Sequence, residues 1–319
     1  MRRLGSQGPE ISVIGYGAWE AGGVGWGPDV SDDRVLDAIH AGLDAGVTWV
    51  DTAETYGDGR SEELVGRAVP AGPDVLVFTK VASAPRGSGY RPHEVRRAAE
   101  ASLRRLGRDS LDLYQLHWPD ERSAPLEDTW GAMGDLVDAG LVRWIGVSNF
   151  AAEAMERCER IRHVDSLQPQ VSMLWQERLP LLEACRSNGT GVIAYGPLAY
   201  GLLTGSITTE TRFGPDDWRS GGLGLRAYGQ LFAPGRLEAN LRVVEALQPI
   251  ATRGGHTVSQ LALAWVLHQD GVTGAIAGSR SAAHVVENAA ASSVRLSKEE
   301  LAEIDGILGK RGELTTVGE

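Results

Sequence analysis

The chain has few cysteines, no excess of basic residues and no long apolar run, and each absence excludes a class of protein. Its only cysteines, Cys158 and Cys185, have neither a disulfide framework nor metal-ligand spacing, so we expect reduced packing residues, as in cytosolic proteins. The formal net charge of −11 argues against nucleic acid or an anionic membrane surface as the partner.

No apolar segment reaches the roughly 20 residues that span a bilayer. The N-terminal residues are basic but lack the continuous apolar region of a signal peptide. The hydrophobic content of 42% and charged content of 23% are typical of ordinary globular proteins. We therefore expect a soluble, cytoplasmic protein whose partner is a small molecule. The sequence does not indicate an oligomeric state.

Short apolar segments alternate with amphipathic helical patterns along the chain. Strands are predicted at 11–19, 47–51, 75–80, 111–117, 141–150, 166–170, 191–196 and 272–279. Helices are predicted at 31–46, 60–69, 92–107, 125–139, 151–162, 178–188, 238–252 and 281–291. This strict alternation predicts the α/β class and a (β/α)₈ barrel. A doubly wound sheet, the alternative, would normally begin with a glycine-rich βα turn.

Residues 1–319 are predicted to form one domain, with an N-terminal β-hairpin and three further features. The glycine-rich segment 199–236 is too long for an ordinary βα loop, and we expect a lid after strand seven. Ser297 and Glu300 form a capping box that starts a C-terminal extra helix. Residues 189–194 match the dinucleotide pattern G-x-G-x-x-A, but they precede a strand instead of opening a helix. We therefore interpret them as a helix end entering strand seven.

Polar side chains stand at the ends of three successive predicted strands, namely Asp51 with nearby Tyr56, Lys80 and His117. The C-terminal ends of parallel barrel strands share one rim, so these side chains should meet. Each residue alone has a structural explanation: a helix cap, a packed aromatic, a rim lysine or a core histidine. Together they predict an active site.

The chemistry of such a group is general acid catalysis on a carbonyl. A phenol is a poor proton donor near neutrality, but an adjacent ammonium is expected to lower the pKa of Tyr56. Asp51 would hold Lys80 charged, and His117 would donate a second hydrogen bond to the carbonyl oxygen. A hydride from a nicotinamide would complete the reduction. No metal-ligand spacing is present.

Six segments, in chain order, resemble the aldo-keto reductase superfamily: VDTAETYG, VFTK, LYQLHWP, WIGVSNF, AYGPLAYGLLTG and AIAGSRSAAHVVEN. The similarity covers about residues 3 to 310. It implies a barrel that binds NADPH, with NADH less expected, and a catalytic tetrad of Asp51, Tyr56, Lys80 and His117. It also implies a set of cofactor contacts drawn from most strand ends. These are Gly17, Ala18, Trp19, Asp51, Ser148, Asn149, Gln170, Tyr195, Gly196, Pro197, Leu198, Gly201, Leu203, Gly205, Gly278, Ser279, Arg280, His284, Glu287 and Asn288.

The segment AIAGSRSAAHVVEN also has a physical interpretation of its own. Ser279 and Arg280 precede a helix that Ser281 should cap, and a helix N-terminus favours an anion such as an adenosine 2′-phosphate. Many relatives carry lysine at Gly278, and arginine or glutamine at His284. Arg280 is therefore expected to be the main phosphate partner, unless it is an ordinary surface arginine.

The substrate pocket is predicted to be walled by Trp19, Tyr56, His117 and Trp118, because indoles at the rim can stack on an apolar carbonyl compound. Trp26 and Trp218 are expected only to pack the barrel mouth. Three rival functions share parts of this site. They are a Schiff-base aldolase using Lys80, an NADP-binding regulator of the channel-β-subunit kind, and an alcohol or sugar dehydrogenase working in the oxidative direction.

Overall fold

Eight parallel strands close into a barrel in the computed structural model, which describes residues 1–72, 74–83, 90–221 and 226–311. A short antiparallel hairpin, β1 (Arg2–Arg3) and β2 (Glu10–Ile11), precedes them. The barrel strands follow in chain order. They are β3 (Ile14–Gly17), β4 (Trp49–Asp51), β5 (Leu76–Val81), β6 (Leu111–Leu116), β7 (Val142–Ser148), β8 (Ser166–Gln168), β9 (Gly191–Ala194) and β10 (Val272–Ala277).

Each barrel strand pairs with its neighbour in sequence, and β10 closes the ring against β3. The predicted fold class, the eight strands and the N-terminal hairpin are thus confirmed. Seven of the eight barrel strands are shorter than predicted, and β5 is shifted by one residue at equal length. The segment predicted as one strand over 11–19 divides at the hairpin, and only Ile14–Gly17 enters the barrel.

Helices surround the barrel. They are α1 (Asp32–Asp44), α2 (Arg60–Ala68), α3 (Pro92–Leu106), α4 (Leu126–Asp138), α5 (Ala152–Glu159), α6 (Leu181–Asn188), α7 (Arg226–Gly229), α8 (Arg236–Arg253), α9 (Val258–His268), α10 (Ala282–Ala290) and α11 (Lys298–Gly309). All eight predicted helices are present, and the capping box that starts α11 is formed. The sequence analysis missed α9, in which residues 258–259 and 261–267 are buried. A helix buried on all sides lacks the amphipathic period on which the prediction relied.

Residues 189–194 form a helix end and a strand, as predicted. Gly189 ends α6 with a left-handed φ of 77°, and β9 begins at Gly191. Both cysteines are buried and unpaired, which fits packing residues, and burial raises the pKa of Cys158 to about 12 and that of Cys185 to about 11. Among the described residues, no helix has the length and apolar character needed to cross a membrane.

The amino-terminal end of the barrel is filled by side chains. Leu4 and Ile11 of the hairpin region join Trp49, Phe78 and Ile193 in a buried apolar cluster. The Trp49 indole also donates a hydrogen bond to the Ser12 carbonyl at 2.8 Å. Because this end is packed, a ligand site belongs at the opposite rim, where the strands end.

Residues 199–221 of the long predicted loop cross that opposite rim and bond to the loop after β3. The Trp218 N–H donates to Gly25 O at 2.9 Å, and Gly27 N–H donates to Asp216 O at 3.4 Å. Trp26 and Asp217 form an isolated antiparallel bridge. We call these two joined segments, residues 20–28 and 199–221, the rim strap. That the segment 199–236 is a lid stays a prediction.

Candidate active site

Lys80 is the centre of a buried polar cluster at the ends of β4 and β5. Its Nζ donates to Asp51 Oδ1 at 2.6 Å, to Thr52 O at 2.8 Å and to the Tyr56 hydroxyl at 3.3 Å. Lys80 is fully buried and Asp51 is 3% exposed. The other oxygen of Asp51 accepts a hydrogen bond from Gln168 Nε2 at 2.8 Å. The Lys80 ammonium and both oxygens of the Asp51 carboxylate therefore have hydrogen-bond partners, as buried charges require.

Strand register places these groups together. Asp51 pairs with Phe78 across β4 and β5, two residues before Lys80, and Gln168 is the last residue of β8. In a parallel barrel, residues near the strand ends with inward-facing side chains share one layer. The predicted meeting of Asp51, Tyr56 and Lys80 is therefore what the structure shows.

Burial dominates the ionisation of this cluster. It raises the pKa of Tyr56 well above that of an ordinary phenol, and the nearby Asp51 carboxylate adds to the increase. Burial also lowers the pKa of Lys80 and raises that of Asp51, and their mutual attraction opposes both changes. The expected lowering of the Tyr56 pKa by Lys80 is thus wrong, because the transfer of the phenol out of water outweighs one ammonium. Tyr56 remains protonated and able to donate.

A tight turn fixes the position of Tyr56. Its N–H donates to Ala53 O at 3.1 Å and its carbonyl accepts from Ser61 N–H at 3.1 Å. Gly57 follows with φ at +64°, and a Cβ there would lie 2.1 Å from Gly22 O. Only glycine fits this conformation and this approach. The short helical turn at Glu20–Gly22 therefore buttresses the tyrosine.

His117 and Trp118 follow β6 on the other side of Tyr56. The rings of Tyr56 and His117 meet edge to face with centroids 5.7 Å apart, and Trp118 stacks on His117 at 6.0 Å. The His117 carbonyl accepts a hydrogen bond from Asn149 Nδ2 at 3.1 Å. The tetrad predicted from the strand ends is thus assembled at one place.

A cavity of about 740 Å³ opens beside the tetrad, within the size range of small-molecule and cofactor sites. Most predicted site residues line it. They are Gly17, Trp19, Asp51, Tyr56, His117, Trp118, Ser148, Asn149, Tyr195, Gly196, Pro197, Leu198, Gly201, Gly278, Ser279, Arg280, His284, Glu287 and Asn288. Five predicted residues are not among the lining residues: Ala18, Lys80, Gln170, Leu203 and Gly205. Lys80 contacts Asp51 and Tyr56, which do line the cavity.

The glutamine that faces the cavity is Gln168 and not Gln170. Gln168 lines the cavity, and its side chain bonds to Asp51. Gln170 is not among the lining residues, and its backbone forms a β-bridge with Tyr195. The predicted strand extended to Gln170, but Pro169 has no N–H to donate to the ladder and β8 ends before it. The proline was the signal that could have corrected the prediction.

Polar groups at the ends of β7 and β9 form one wall. Asn149 has a left-handed φ of 67°, which asparagine tolerates better than most residues. Its Oδ1 accepts from the Tyr195 hydroxyl at 2.7 Å, and that hydroxyl lies 3.2 Å from the Tyr228 hydroxyl of α7. Tyr228 also lines the cavity and was not predicted. The wall can donate and accept hydrogen bonds, as an amide ligand requires.

Trp19 and aromatic rings of the rim strap form a second wall. Trp19 stacks on Trp218 at 6.0 Å and meets Trp26 edge to face at 4.9 Å. Trp26 and Trp218 are buried, as expected, but both also line the cavity, so the expectation that they only pack the barrel mouth is wrong. Tyr200 extends this cluster, with its ring 5.0 Å from Trp218. The cavity is therefore broadly apolar on the side facing Tyr56.

The far end of the cavity lies before α10. The Ser281 side chain does not cap this helix, contrary to expectation; instead Ser279 Oγ accepts the Ser281 N–H at 3.1 Å. The Arg280 guanidinium donates to Trp26 O at 2.7 Å and to Pro28 O at 3.0 Å. Arg280 is thus bound to the rim strap and is not an ordinary surface arginine.

Comparisons with known proteins show the family of this chain. The profile of the aldo/keto reductase family matches residues 13–308. The chain belongs to the aldo/keto reductase family. It is 35% identical over 314 residues to the aldo-keto reductase YhdN of Bacillus subtilis, covering 96% of this chain and 92% of that protein. It is 34% identical to the aldo-keto reductase str7 of Strobilurus tenacellus, covering 92% and 88%.

Solved structures of the family are also similar. The glycerol dehydrogenase AKR11B4 from Gluconobacter oxydans is 31% identical with a TM-score of 0.85, over 100% of this chain and 98% of that one. An aldo-keto reductase from Klebsiella pneumoniae, solved in complex with NADPH, is 32% identical with a TM-score of 0.74, over 97% and 95%. Family membership makes this aldo/keto reductase an oxidoreductase with the family's barrel.

Proposed function

We propose that this aldo/keto reductase reduces an aldehyde or ketone to an alcohol with NADPH, and that Tyr56 is the general acid. The observation that carries the proposal is the contact of Lys80 Nζ with both Asp51 and the Tyr56 hydroxyl, at 2.6 and 3.3 Å, beside the cavity. The Klebsiella pneumoniae relative was solved in complex with NADPH.

The cavity residues fit a nicotinamide dinucleotide. Ser148, Asn149 and Gln168 offer amide-binding groups beside Tyr56, and Arg280 lies at the other end of the same cavity. Between these ends Gly278 approaches Gly17 so closely that a Cβ would lie 2.3 Å from Gly17 O. A bound nicotinamide supplies the hydride that adds to the carbonyl carbon.

Residues of this chain donate the proton and stabilise the phenolate that remains. As the carbon–oxygen π bond breaks, the developing alkoxide takes the proton of the Tyr56 hydroxyl. The phenolate that remains is stabilised by Lys80 at 3.3 Å, whose own charge is balanced by Asp51. The His117 ring adjoins Tyr56 and can orient the same oxygen. The aromatic wall favours an apolar, preferably aryl, carbonyl compound.

The oxidative direction is a second candidate, favoured by the likeness to a glycerol dehydrogenase. The same groups serve both directions, since Tyr56 as phenolate would accept the proton that it donates in reduction. Initial rates with 4-nitrobenzaldehyde and NADPH, compared with glycerol and NADP⁺, decide which direction this chain favours. A regulator would bind the dinucleotide and turn over neither substrate.

Tyr56→Phe tests the assignment of the acid. Carbonyl reduction should fall by about 10²–10⁴-fold, the usual contribution of general acid catalysis, while the NADPH dissociation constant changes little. Tyr114→Phe is the matched control, because Tyr114 is also a buried phenol but does not line the cavity. Retained turnover in Tyr56→Phe would show that another group supplies the proton.

A further inference from the structure

Glu20 places a carboxylate where the cofactor phosphate is expected. It follows Trp19 in the rim strap and lines the cavity. One oxygen of its carboxylate lies 4.0 Å from Arg280 Nε. A carboxylate of this chain therefore already lies beside the segment that leads into α10, where the helix N-terminus would attract an anion from solution.

Several hydrogen-bond donors at this end of the cavity already have acceptors within the protein. Ser281 N–H donates to Ser279 Oγ at 3.1 Å. The two terminal nitrogens of Arg280 donate to the strap carbonyls of Trp26 and Pro28. A 2′-phosphate entering here must displace Glu20 or lie against it, whereas a dinucleotide with a plain 2′-hydroxyl has no such conflict.

We propose that Glu20 is a specificity-determining residue of the cofactor site, whose carboxylate competes with the 2′-phosphate of NADPH and so narrows the preference for NADPH over NADH. This inference rests on the proposed function. It differs from that function in concerning only the ratio of the two affinities and not the chemistry at Tyr56.

The proposal has a pH dependence of defined sign. Burial raises the pKa of Glu20 to about 7, against the attraction of Arg280 and then Arg219. Below pH 7 the side chain is mostly neutral and tolerates the phosphate. Above pH 7 it is charged, so NADPH affinity should fall relative to NADH affinity. The charged and titratable groups facing Glu20 are Arg280, Arg219, Asp217 and the Tyr16 hydroxyl, and Arg60, paired with Asp29, lies beside the same turn.

Glu20→Gln is the decisive variant, because glutamine keeps the size and an acceptor oxygen of the side chain and removes the charge. Dissociation constants for NADPH and NADH are measured by quenching of tryptophan fluorescence at pH 6 and pH 8. At pH 8 the ratio of the NADH to the NADPH constant should rise about tenfold, the effect of removing one nearby like charge. The pH dependence of that ratio should shrink in the variant.

Asp33→Asn is the control for net charge, since Asp33 is exposed on α1 and is not among the lining residues. It should leave the ratio unchanged. A ratio in Glu20→Gln within twofold of the wild-type value at both pH values would overturn the role of Glu20. Failure of the wild-type protein to bind either dinucleotide would instead overturn the proposed function.

Discussion

The two ends of the cavity are built differently. At the acid–base end, Asp51 and Lys80 stand on barrel strands, and their contacts follow from the register of β4 and β5. At the anion end, Glu20 and Arg280 stand in segments after β3 and β10, and Arg280 is held by carbonyls more than 250 positions away in sequence. On the proposed roles, the ion pair that supports the acid would stand on barrel strands, while cofactor selection would depend on loops, which vary more readily than the barrel.

The largest effect is expected from Lys80→Met, which breaks the strand-borne end. We expect kcat to fall by about 10³-fold, because the phenolate loses its stabilising charge. Asp51 would also remain buried without its partner, which should cost about 3–5 kcal/mol of unfolding free energy. Steady-state rates and urea unfolding measure the two effects.

The double variant Asp51→Asn/Lys80→Met separates the effect on activity from the effect on stability. It removes both charges, so it should recover much of the lost stability and none of the activity. If the double variant regained turnover, the ion pair would have a structural role only.

Gly57→Ala should have the next largest effect, because it displaces Tyr56 without removing it. The added methyl group would collide with Gly22 O at a positive φ. A shift of about 1 Å in a reacting group can cost about 10²-fold in rate, so we expect kcat to fall by about that factor with NADPH affinity largely retained.

Gly107→Ala is the matched control, with a φ of +63° at the end of α3 and open space around its Cα. It should cost roughly 1 kcal/mol of stability through the backbone alone and leave kcat unchanged. Equal kcat losses in both variants would mean that Gly57 affects global stability and not the position of Tyr56.

Arg280→Ala tests the loop-borne end and should have the smallest effect. We expect the NADPH dissociation constant to rise about tenfold, because a cation facing the phosphate is lost. The NADH constant should rise less, by the amount that loosening of the rim strap contributes. Equilibrium titration with both dinucleotides measures the difference.

Arg34→Ala serves as the comparison, because Arg34 is an exposed neighbouring cation that donates to Arg280 O at 3.1 Å and does not line the cavity. It should change neither constant appreciably. If Arg280→Ala weakened the binding of both dinucleotides equally, Arg280 would only hold the rim strap in place and the 2′-phosphate would bind elsewhere.

Some features could be predicted because they depend on local pattern. Strands end where the apolar run ends, so Asp51, Lys80 and His117 could be assigned to one rim without coordinates. The missed features depend on surroundings. Helix α9 has no polar face to reveal it, and Gln170 was preferred to Gln168 because the strand was extended through Pro169. Glu20 carries no sequence signal, since the charged groups that face it come from the segment after β10 and from the strap.

The amino-acid sequence by itself determined the alternation of strands and helices, and with it the barrel and the side chains at its rim. That is possible because periodicity and strand ends are properties of short segments. Only the tertiary structure decided the ionisation of Tyr56 and the partner of Arg280. Both depend on how completely groups from distant segments exclude water from one another, and burial here outweighs the single neighbouring charge on which the sequence argument relied.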